Sequence, residues 1–362
     1  MEYGMKSSSH SHPEQHERSF PGPWRITFDT NPDDCNMHCI MCEEHSDFSP
    51  LRRERISTGR AHRTMDVSVI KNTVKQMAKR GLREIIPSTM GEPLLYDHFL
   101  DIIDICREYN IKLNLTTNGT WPRLGPTRWA ALICPISSDV KISWNGSSPL
   151  VQESIMKGSV FERRVMDLAR FIQERDRIAS IGENRCRITL QTTFMESNIS
   201  ELPDLVRFAI EVRGDRLNGH HLWAHFPEIK NLDLRRSPES IARWNAIVEK
   251  CFEVARNNRR GDGSTILLEN FNLIPENIKN GMPENWVCPF LGKEAWVNYQ
   301  GRFDPCCAPD SERKSLGNFG VVTSEGGLAE IWNGKKYQEL TENYMVNEVC
   351  RKCNMRRPQT VG

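Results

Sequence analysis

At 362 residues, 38% of them hydrophobic, the chain is long enough for one large domain and a smaller one. Its 48 basic and 47 acidic residues leave a formal net charge of +1. This balance gives no reason to expect nucleic acid as a partner, because nucleic-acid-binding proteins usually carry a clustered basic excess. No apolar run approaches the roughly 20 residues that span a bilayer. Residues 1–20 lack the apolar segment of a signal peptide, so no membrane association and a cytoplasmic location are expected.

Strand-like and helix-like segments alternate between residues 24 and 258. Strands are indicated by short apolar or β-branched runs, and helices by apolar residues every three or four positions, as at Val67, Ile70 and Val74. The strand segments are 24–30, 83–88, 112–119, 139–146, 186–194 and 216–225, and the helical segments are 67–81, 98–110, 126–133, 161–176, 200–214 and 238–256. Six strand–helix units in series predict an α/β fold, a partial (β/α)6 TIM-like barrel with ligands at the carboxyl ends of its strands.

The composition predicts four regions along the chain. These are a disordered polar tail at 1–22, a core domain at 23–258, a linker at 259–284 and a small C-terminal domain at 285–362. His10, His12 and His16 fall in the tail, whose low-complexity composition favours disorder over metal binding. In the C-terminal domain, the run AWVNYQGRFDP predicts a hairpin that turns at Gln300 and Gly301.

Twelve cysteines in a chain expected in the cytoplasm indicate metal or cluster binding rather than disulfides, because a reducing environment keeps thiols free. Eight of them form two groups, one near each end: Cys35, Cys39 and Cys42, and then Cys288, Cys306, Cys307, Cys350 and Cys353. The first group lies in one loop, 64 residues from the next cysteine. A structural zinc site takes four protein ligands, so an iron-sulfur cluster with one open iron fits three thiolates better, with zinc as the alternative.

The spacing C-x3-C-x2-C, in a loop after the first strand of a (β/α)6 chain, resembles that of the radical S-adenosylmethionine (radical SAM) superfamily. The resemblance implies that Cys35, Cys39 and Cys42 hold a 4Fe-4S cluster whose fourth iron binds the amino and carboxylate groups of S-adenosylmethionine. One electron from the cluster would then cleave this cofactor to methionine and a 5'-deoxyadenosyl radical, which removes hydrogen from an unactivated C–H bond. An electron donor such as flavodoxin or ferredoxin is an expected partner.

The segment STMGEPLL at 88–95 is similar to the Gly-Gly-Glu-Pro turn of that family, with Met90 in place of the first glycine. By this resemblance, Gly91, Glu92 and Pro93 belong to the cofactor site. The glycine would let the backbone approach the ligand, and Glu92 would accept the methionine ammonium of the cofactor.

Two further segments resemble the third and fourth strand ends of one branch of the superfamily: LTTNGT at 115–120 and ISWNGSS at 142–148. The resemblance adds Asn118 to the cofactor site and implies that Ser143 hydrogen-bonds the ribose. Asn145 stands where that branch more often has an acid, so a charge-based role is not expected there. Met41 would pack on the adenine by analogy, with plain packing as the alternative.

The C-terminal cysteines resemble those of the twitch domain, a shortened relative of the SPASM domain. By this resemblance four of them hold one auxiliary 4Fe-4S cluster: Cys288, Cys306, Cys350 and Cys353. Two separated cysteine pairs also make four-thiolate zinc sites, so a zinc ribbon is the alternative. Two 4Fe-4S clusters and S-adenosylmethionine are therefore the expected cofactors.

The expected function is that of a radical SAM oxidoreductase that dehydrogenates a sugar or aminocyclitol-type metabolite, with the auxiliary cluster as electron acceptor. The alternatives are an epimerase, a peptide-modifying enzyme and a non-catalytic iron-sulfur or zinc scaffold. Peptide-modifying relatives often carry an additional leader-binding module before the first strand, which here begins near Trp24, so a small metabolite is favoured over a peptide. For an epimerase, Cys307, Cys186 and Cys251 are the candidate hydrogen donors, with plain packing as the alternative for each and a cluster ligand as a further one for Cys307.

The segment 51–66 carries five arginines against one Glu and one Asp. It follows the three-cysteine loop at the expected ligand-binding end of the barrel. Two interpretations stay open: a solvated face, or a cover that grips an anionic substrate through forked guanidinium contacts.

Overall fold

The computed structural model of the chain describes residues 22–87, 90–275 and 282–359. The tail predicted at 1–22, with its three histidines, lies outside the described residues except for Gly22. The described strands are β1 (Arg25–Phe28), β2 (Glu84–Ile86), β3 (Lys112–Thr117), β4 (Ser137–Ser143), β5 (Arg187–Phe194), β6 (Arg216–His221), β7 (Leu267–Glu269), β8 (Glu294–Val297) and β9 (Phe303–Asp304).

Capping side chains mark the start of some of the helices. The described helices are α1 (Pro50–Thr58), α2 (Val67–Ala78), α3 (Phe99–Tyr109), α4 (Gly125–Ile133), α5 (Pro149–Ile155), α6 (Phe161–Ser180), α7 (Leu202–Glu211), α8 (Pro238–Asn257), α9 (Asp310–Ser315), α10 (Leu328–Trp332), α11 (Lys335–Asn343) and α12 (Glu348–Lys352). At the start of α2, for example, the Asp66 carboxylate accepts the Ser68 N–H at 2.8 Å. Within the described ranges, we find no helix with the length and apolar content that a membrane crossing requires.

The nine strands form one sheet in the order β7-β6-β5-β4-β3-β2-β1-β8-β9. Strands β1 to β6 are neighbours in sequence order and pair in parallel, each followed by at least one helix, which confirms the predicted α/β architecture of six strand–helix units. Strand β9 pairs antiparallel with β8, as the predicted hairpin requires. Gly301 lies in its turn with φ +81°, a conformation that side chains other than glycine rarely adopt.

Both ends of the sheet contain strands from outside the predicted core domain. Strand β7 lies within the segment predicted as a linker and pairs in parallel with β6. Strand β8 belongs to the C-terminal region and pairs in parallel with β1. The C-terminal hairpin therefore continues the barrel sheet, and the segment predicted as a linker contributes the strand Leu267–Glu269 to it.

The two faces of the sheet differ in polarity. Val140 and Ile142 of β4 are buried in the core between the strands and the surrounding helices. The intervening Asp139, Lys141 and Ser143 line a cavity inside the barrel. Parallel strands are usually apolar on both faces, so this polar inner face indicates a space for a ligand instead of a packed interior.

Candidate active site

A cavity of about 700 Å³ lies at the inner face of the sheet, between the barrel and the C-terminal region. Its volume falls within the roughly 300–1,000 Å³ typical of ligand pockets. The predicted site residues among those lining it are Cys35, Cys39, Met41, Cys42, Gly91, Glu92, Asn118, Ser143 and Cys307. Residues separated by up to about 270 positions in the sequence thus meet around one space.

The three cysteines of the first group lie in the loop between β1 and α1. Burial, followed by the nearby charges of Glu92 and Cys42, raises the pKa of the Cys35 thiol to about 12. Burial also raises the pKa of Cys42 to about 11, although hydrogen bonds from backbone N–H groups lower it in part. Such thiols stay protonated in water, and binding to iron as thiolates releases their protons. The donor set therefore fits the cluster that the spacing implies.

The carboxylate of Glu92 is buried beside this loop and held by three donors. The Thr117 hydroxyl donates to Oε1 and the Asn118 N–H donates to Oε2, both at 2.7 Å, and the Leu94 N–H donates to Oε1 at 3.3 Å. Burial raises the pKa of Glu92 to about 7, although these hydrogen bonds oppose the rise. An oriented, desolvated carboxylate suits recognition of a positively polarised N–H group.

The turn before Glu92 brings two backbone segments very close together. A β-carbon added to Gly91 would overlap the carbonyl oxygen of Asn31, so a glycine is required at this position. Pro93 does not line the cavity; it starts a short 3-10 turn that the Glu92 side chain caps. The structure places Pro93 in the turn that orients Glu92, and its place in the cofactor site stays a prediction.

Gly91→Ala is expected to lower the free energy of unfolding by about 1–3 kcal/mol, because the added methyl must displace the backbone at Asn31. Gly261→Ala is a matched control, since a β-carbon there meets no atom within 4 Å. Urea denaturation of both variants measures the difference. Equal stability of the two variants would contradict the close approach.

Asn118 and Ser143 lie at the ends of β3 and β4, as predicted, and one buried arginine joins them. The Arg164 guanidinium donates to the carbonyl oxygens of Asn118 and Ser143, each at 2.6 Å, and lies 4.5 Å from the centroid of the Trp144 ring. The Asn118 side chain also lies 3.9 Å from Cys35 Sγ. Arg164 therefore fixes two strand ends at the cavity, a role that the sequence analysis missed.

Asn145 has a structural role in the same loop. Its side-chain oxygen accepts the Thr193 N–H at 2.8 Å, and its carbonyl oxygen accepts from Asn198 at 2.9 Å. The Gln152 side chain accepts its N–H at 2.7 Å. These neutral contacts agree with the expectation that no charge is needed at this position.

The C-terminal cysteines converge from three separate segments. Burial raises the pKa of Cys306, and the charges of Cys353, Cys288 and Cys350 raise it further, which places the four sulfurs near one another. Among the described residues, no group of three or more His, Cys, Asp or Glu side chains is arranged to hold a single metal ion.

The three cysteines expected as hydrogen donors occupy different environments. Cys307 lines the cavity next to the auxiliary cysteines, and burial raises its pKa well above the ordinary value. Cys186 and Cys251 are 1% and 0% exposed and belong to the hydrophobic core. Neither of these two is among the residues that line the cavity, and their role as hydrogen donors stays a prediction.

The arginine-rich segment is bound by the protein itself. The closest contacts of Arg55, Arg60 and Arg63 to one carboxylate measure 2.9, 2.7 and 2.6 Å. That carboxylate belongs to Asp33, whose side chain is fully buried two residues before Cys35. Although burial favours the neutral acid, hydrogen bonds from the arginines hold the pKa of Asp33 well below its ordinary value. These guanidinium groups anchor the cysteine loop, and they already donate hydrogen bonds to the Asp33 carboxylate.

Asp33→Asn is expected to cost about 3 kcal/mol of unfolding free energy, because it leaves several partly buried arginines without their shared anion. The control is Asp97→Asn, which removes an exposed partner of Arg123 and should cost less than about 1 kcal/mol. Urea denaturation at pH 7 measures both. The stabilisation from the depressed pKa of Asp33 is lost progressively as the pH falls from about 4 towards the folded-state pKa, so Asp33→Asn and the unaltered protein should approach each other in stability over that range.

Comparison with known families agrees with this geometry. A family model for the Radical SAM superfamily matches residues 32–209, and one for an iron-sulfur cluster-binding domain, SPASM, matches residues 288–354. The chain therefore belongs to the radical SAM superfamily and carries a C-terminal SPASM-type domain. It is a radical SAM enzyme whose cofactors are 4Fe-4S clusters and S-adenosylmethionine.

Two curated relatives match most of the chain. One is the "tungsten-containing aldehyde ferredoxin oxidoreductase cofactor-modifying protein" of Pyrococcus furiosus, 22% identical over 342 residues that cover 89% of this chain and 85% of the relative. The other is the PqqA peptide cyclase of Rhodopseudomonas palustris, 22% identical over 325 residues that cover 88% and 76%.

Solved structures share the fold. Streptococcus suis SuiB bound to precursor peptide SuiA superposes with a TM-score of 0.62 at 16% identity, covering 89% of this chain and 67% of that chain. Native anSMEcpe with bound AdoMet and Cp18Cys peptide gives a TM-score of 0.60 at 17% identity, covering 92% and 88%. At these identities the likeness establishes the architecture alone.

Proposed function

We propose that this chain is a radical SAM enzyme that modifies a peptide. The observation that carries the proposal is the cavity of about 700 Å³ that the cysteine loop, Glu92 and the C-terminal region line together. The names of the relatives support a peptide substrate, because one is a PqqA peptide cyclase and two structural neighbours hold peptides.

This proposal replaces the preference for a sugar or aminocyclitol-type metabolite. The comparisons do not support that preference. The peptide-modifying alternative agrees better with the relatives. Substrate oxidation and epimerisation both stay compatible with peptide modification.

The residues of the cavity have the following proposed roles. Cys35, Cys39 and Cys42 hold the cluster that binds S-adenosylmethionine, and Glu92 accepts an N–H of the cofactor's amino group. The donors to its carboxylate keep it oriented, and its burial excludes competing water. When bound, the cluster and cofactor supply the 5'-deoxyadenosyl radical that removes a substrate hydrogen.

The second cysteine set is proposed to hold the auxiliary cluster: Cys288, Cys306, Cys350 and Cys353. Cys307 lines the cavity beside them, which supports it as the proposed hydrogen donor. Its burial keeps the thiol protonated, as hydrogen return requires. An electron donor such as a flavodoxin or ferredoxin remains an expected partner.

The test uses deuterium transfer. Extract from source cells grown in deuterated water is separated into a peptide fraction and a small-molecule fraction, and each is incubated anaerobically with the reconstituted enzyme and unlabelled S-adenosylmethionine. Deuterium in the 5'-deoxyadenosine product identifies the fraction that contains the substrate. We expect labelling from the peptide fraction and its loss after protease digestion. Labelling from the small-molecule fraction alone would contradict the peptide proposal and restore the metabolite.

A further inference from the structure

Lys141 lies on the inner face of β4, one pleat before Ser143. Along a strand, residues two apart are separated by about 6.5–7 Å and share a face. In the register of the sheet, Lys141 pairs with Thr116 of β3 and Thr189 of β5. Its side chain therefore lines the cavity, whose lining also includes Ser143 and Asn118.

The ammonium of Lys141 has no direct protein partner. It makes no hydrogen bond or ion pair with any described residue, and the carboxylates that act on it through space are those of Asp139 and Glu84. The Asp139 carboxylate already accepts from Arg216 and from the Thr189 hydroxyl. Burial lowers the pKa of Lys141, partly opposed by that carboxylate. An unpaired cation in such a space is costly unless a ligand supplies an anion.

The other acids of the cavity are also occupied. Glu84 and Glu294 pair with Arg25, Glu269 pairs with Arg216, and the Glu92 carboxylate accepts three hydrogen bonds. The described lining holds seven Lys and Arg residues against five Asp and Glu residues. Arg25, Arg216, Arg313 and Arg357 pair with carboxylates, and Arg356 donates to carbonyl groups. Lys141 and Arg187 are therefore the lining cations that have no partner among the described residues.

We propose that Lys141 binds a carboxylate of the substrate, presented by an acidic side chain of the peptide. This inference rests on the proposed function, which supplies the peptide. A carboxylate held at Lys141 would position the neighbouring methylene groups toward Ser143, and thus toward the hydrogen-abstracting part of the cofactor. The same chemistry would also bind a free dicarboxylic acid, so the two sources need separate probes.

Arg187 is the main competing cation. It lies at the start of β5, lines the same cavity and makes no direct hydrogen bond or ion pair with any described residue, but it is exposed. A solvated guanidinium gains less from a carboxylate than a desolvated ammonium does. The test therefore includes a variant of each.

The test measures binding to the anaerobically reconstituted holoenzyme with S-adenosylmethionine present. The peptide probes are Ac-Gly-Ala-Glu-Ala-Gly-NH2 and its Gln analogue, and the small probes are glutarate and glutaramide. We expect the unaltered protein to bind the Glu peptide roughly tenfold or more tightly than the Gln peptide, as a charge-assisted hydrogen bond implies. Lys141→Met should reduce this preference to less than about twofold. Lys141→Arg should retain most of the preference for the Glu peptide. Lys250→Met, which changes an exposed residue on α8, should retain all of it.

The outcomes separate the two proposals. Peptide binding with no preference for Glu, or a preference lost in Arg187→Met but not in Lys141→Met, would overturn the role of Lys141 and leave the peptide proposal standing. Lys141-dependent binding of glutarate without peptide binding would uphold Lys141 and contradict the peptide substrate. If neither carboxylate probe binds the unaltered protein better than its amide, the inference is wrong. S-adenosylmethionine affinity should be equal in all variants; its loss in Lys141→Met would assign this lysine to the cofactor instead.

Discussion

Replacing Cys35, Cys39 and Cys42 together by alanine is expected to lower the iron content from about eight to about four atoms per chain and to abolish cleavage of S-adenosylmethionine. The three thiols line the cavity from one loop, while the C-terminal cysteines converge separately, so the two iron sites should fill independently. Iron analysis after anaerobic reconstitution and chromatographic detection of 5'-deoxyadenosine are the measurements.

Cys106→Ala is the control for cysteine removal, because this thiol is buried in the hydrophobic core outside both sets. It should retain all the iron and the cleavage activity. The complementary variant replaces Cys288, Cys306, Cys350 and Cys353 and should also keep about four irons. Stoichiometric zinc in place of iron, in protein purified without air, would defeat the assignment of both sites.

The alternating architecture could be predicted because each unit carries its own signal. The apolar stripe that begins at Val67 and the β-branched strand segments are local patterns, and all six units are present. Strand β7 could not be predicted in this way. Its three residues, Leu267–Glu269, carry no alternation, and they form a strand because the exposed edge of β6 offers hydrogen bonds.

Charged residues inside the barrel are the main feature that the sequence did not indicate. Residue type alone predicts that Arg164 and Lys141 are exposed. The partners of Arg164 are carbonyl groups 46 and 21 residues away, so no short motif could identify them. A signal does exist in the periodicity, because Arg164 and Arg175 fall on the buried stripe of α6 with Leu168 and Phe171. A charged residue on an apolar stripe indicates a specific buried partner.

The arginine-rich segment illustrates the same limit. Its charge was evident, but the anion that it binds could not be known, because Asp33 lies 22 to 30 residues before the three arginines. Five arginines near a catalytic cavity suggest substrate binding, yet three of them neutralise one buried carboxylate. The segment stabilises the loop that carries Cys35.

Glu92→Gln is expected to weaken S-adenosylmethionine binding by roughly tenfold to a hundredfold, the loss of about 1.5–3 kcal/mol from one hydrogen bond to a charged group. The amide keeps the shape of the side chain but has only one acceptor oxygen. The carboxylate accepts from the Thr117 hydroxyl at one oxygen and from the Asn118 N–H at the other, so one of these two donors would face the amide NH2 group. Both iron sites should stay filled. Glu269→Gln is the matched control, a cavity carboxylate paired with Arg216 whose change should leave cofactor affinity unaltered.

The pH dependence gives an independent test of the same carboxylate. Burial raises the pKa of Glu92 to about 7, so the side chain becomes a neutral acid as the pH falls through this value and loses acceptor strength. The unaltered enzyme should therefore bind S-adenosylmethionine more tightly at pH 8 than at pH 6. In Glu92→Gln this difference should largely disappear, because the amide does not titrate. Equilibrium binding of S-adenosylmethionine at both pH values is the measurement. An equally steep pH dependence in Glu92→Gln would show that another group titrates. An affinity of the variant equal to that of the unaltered enzyme would remove Glu92 from the cofactor site.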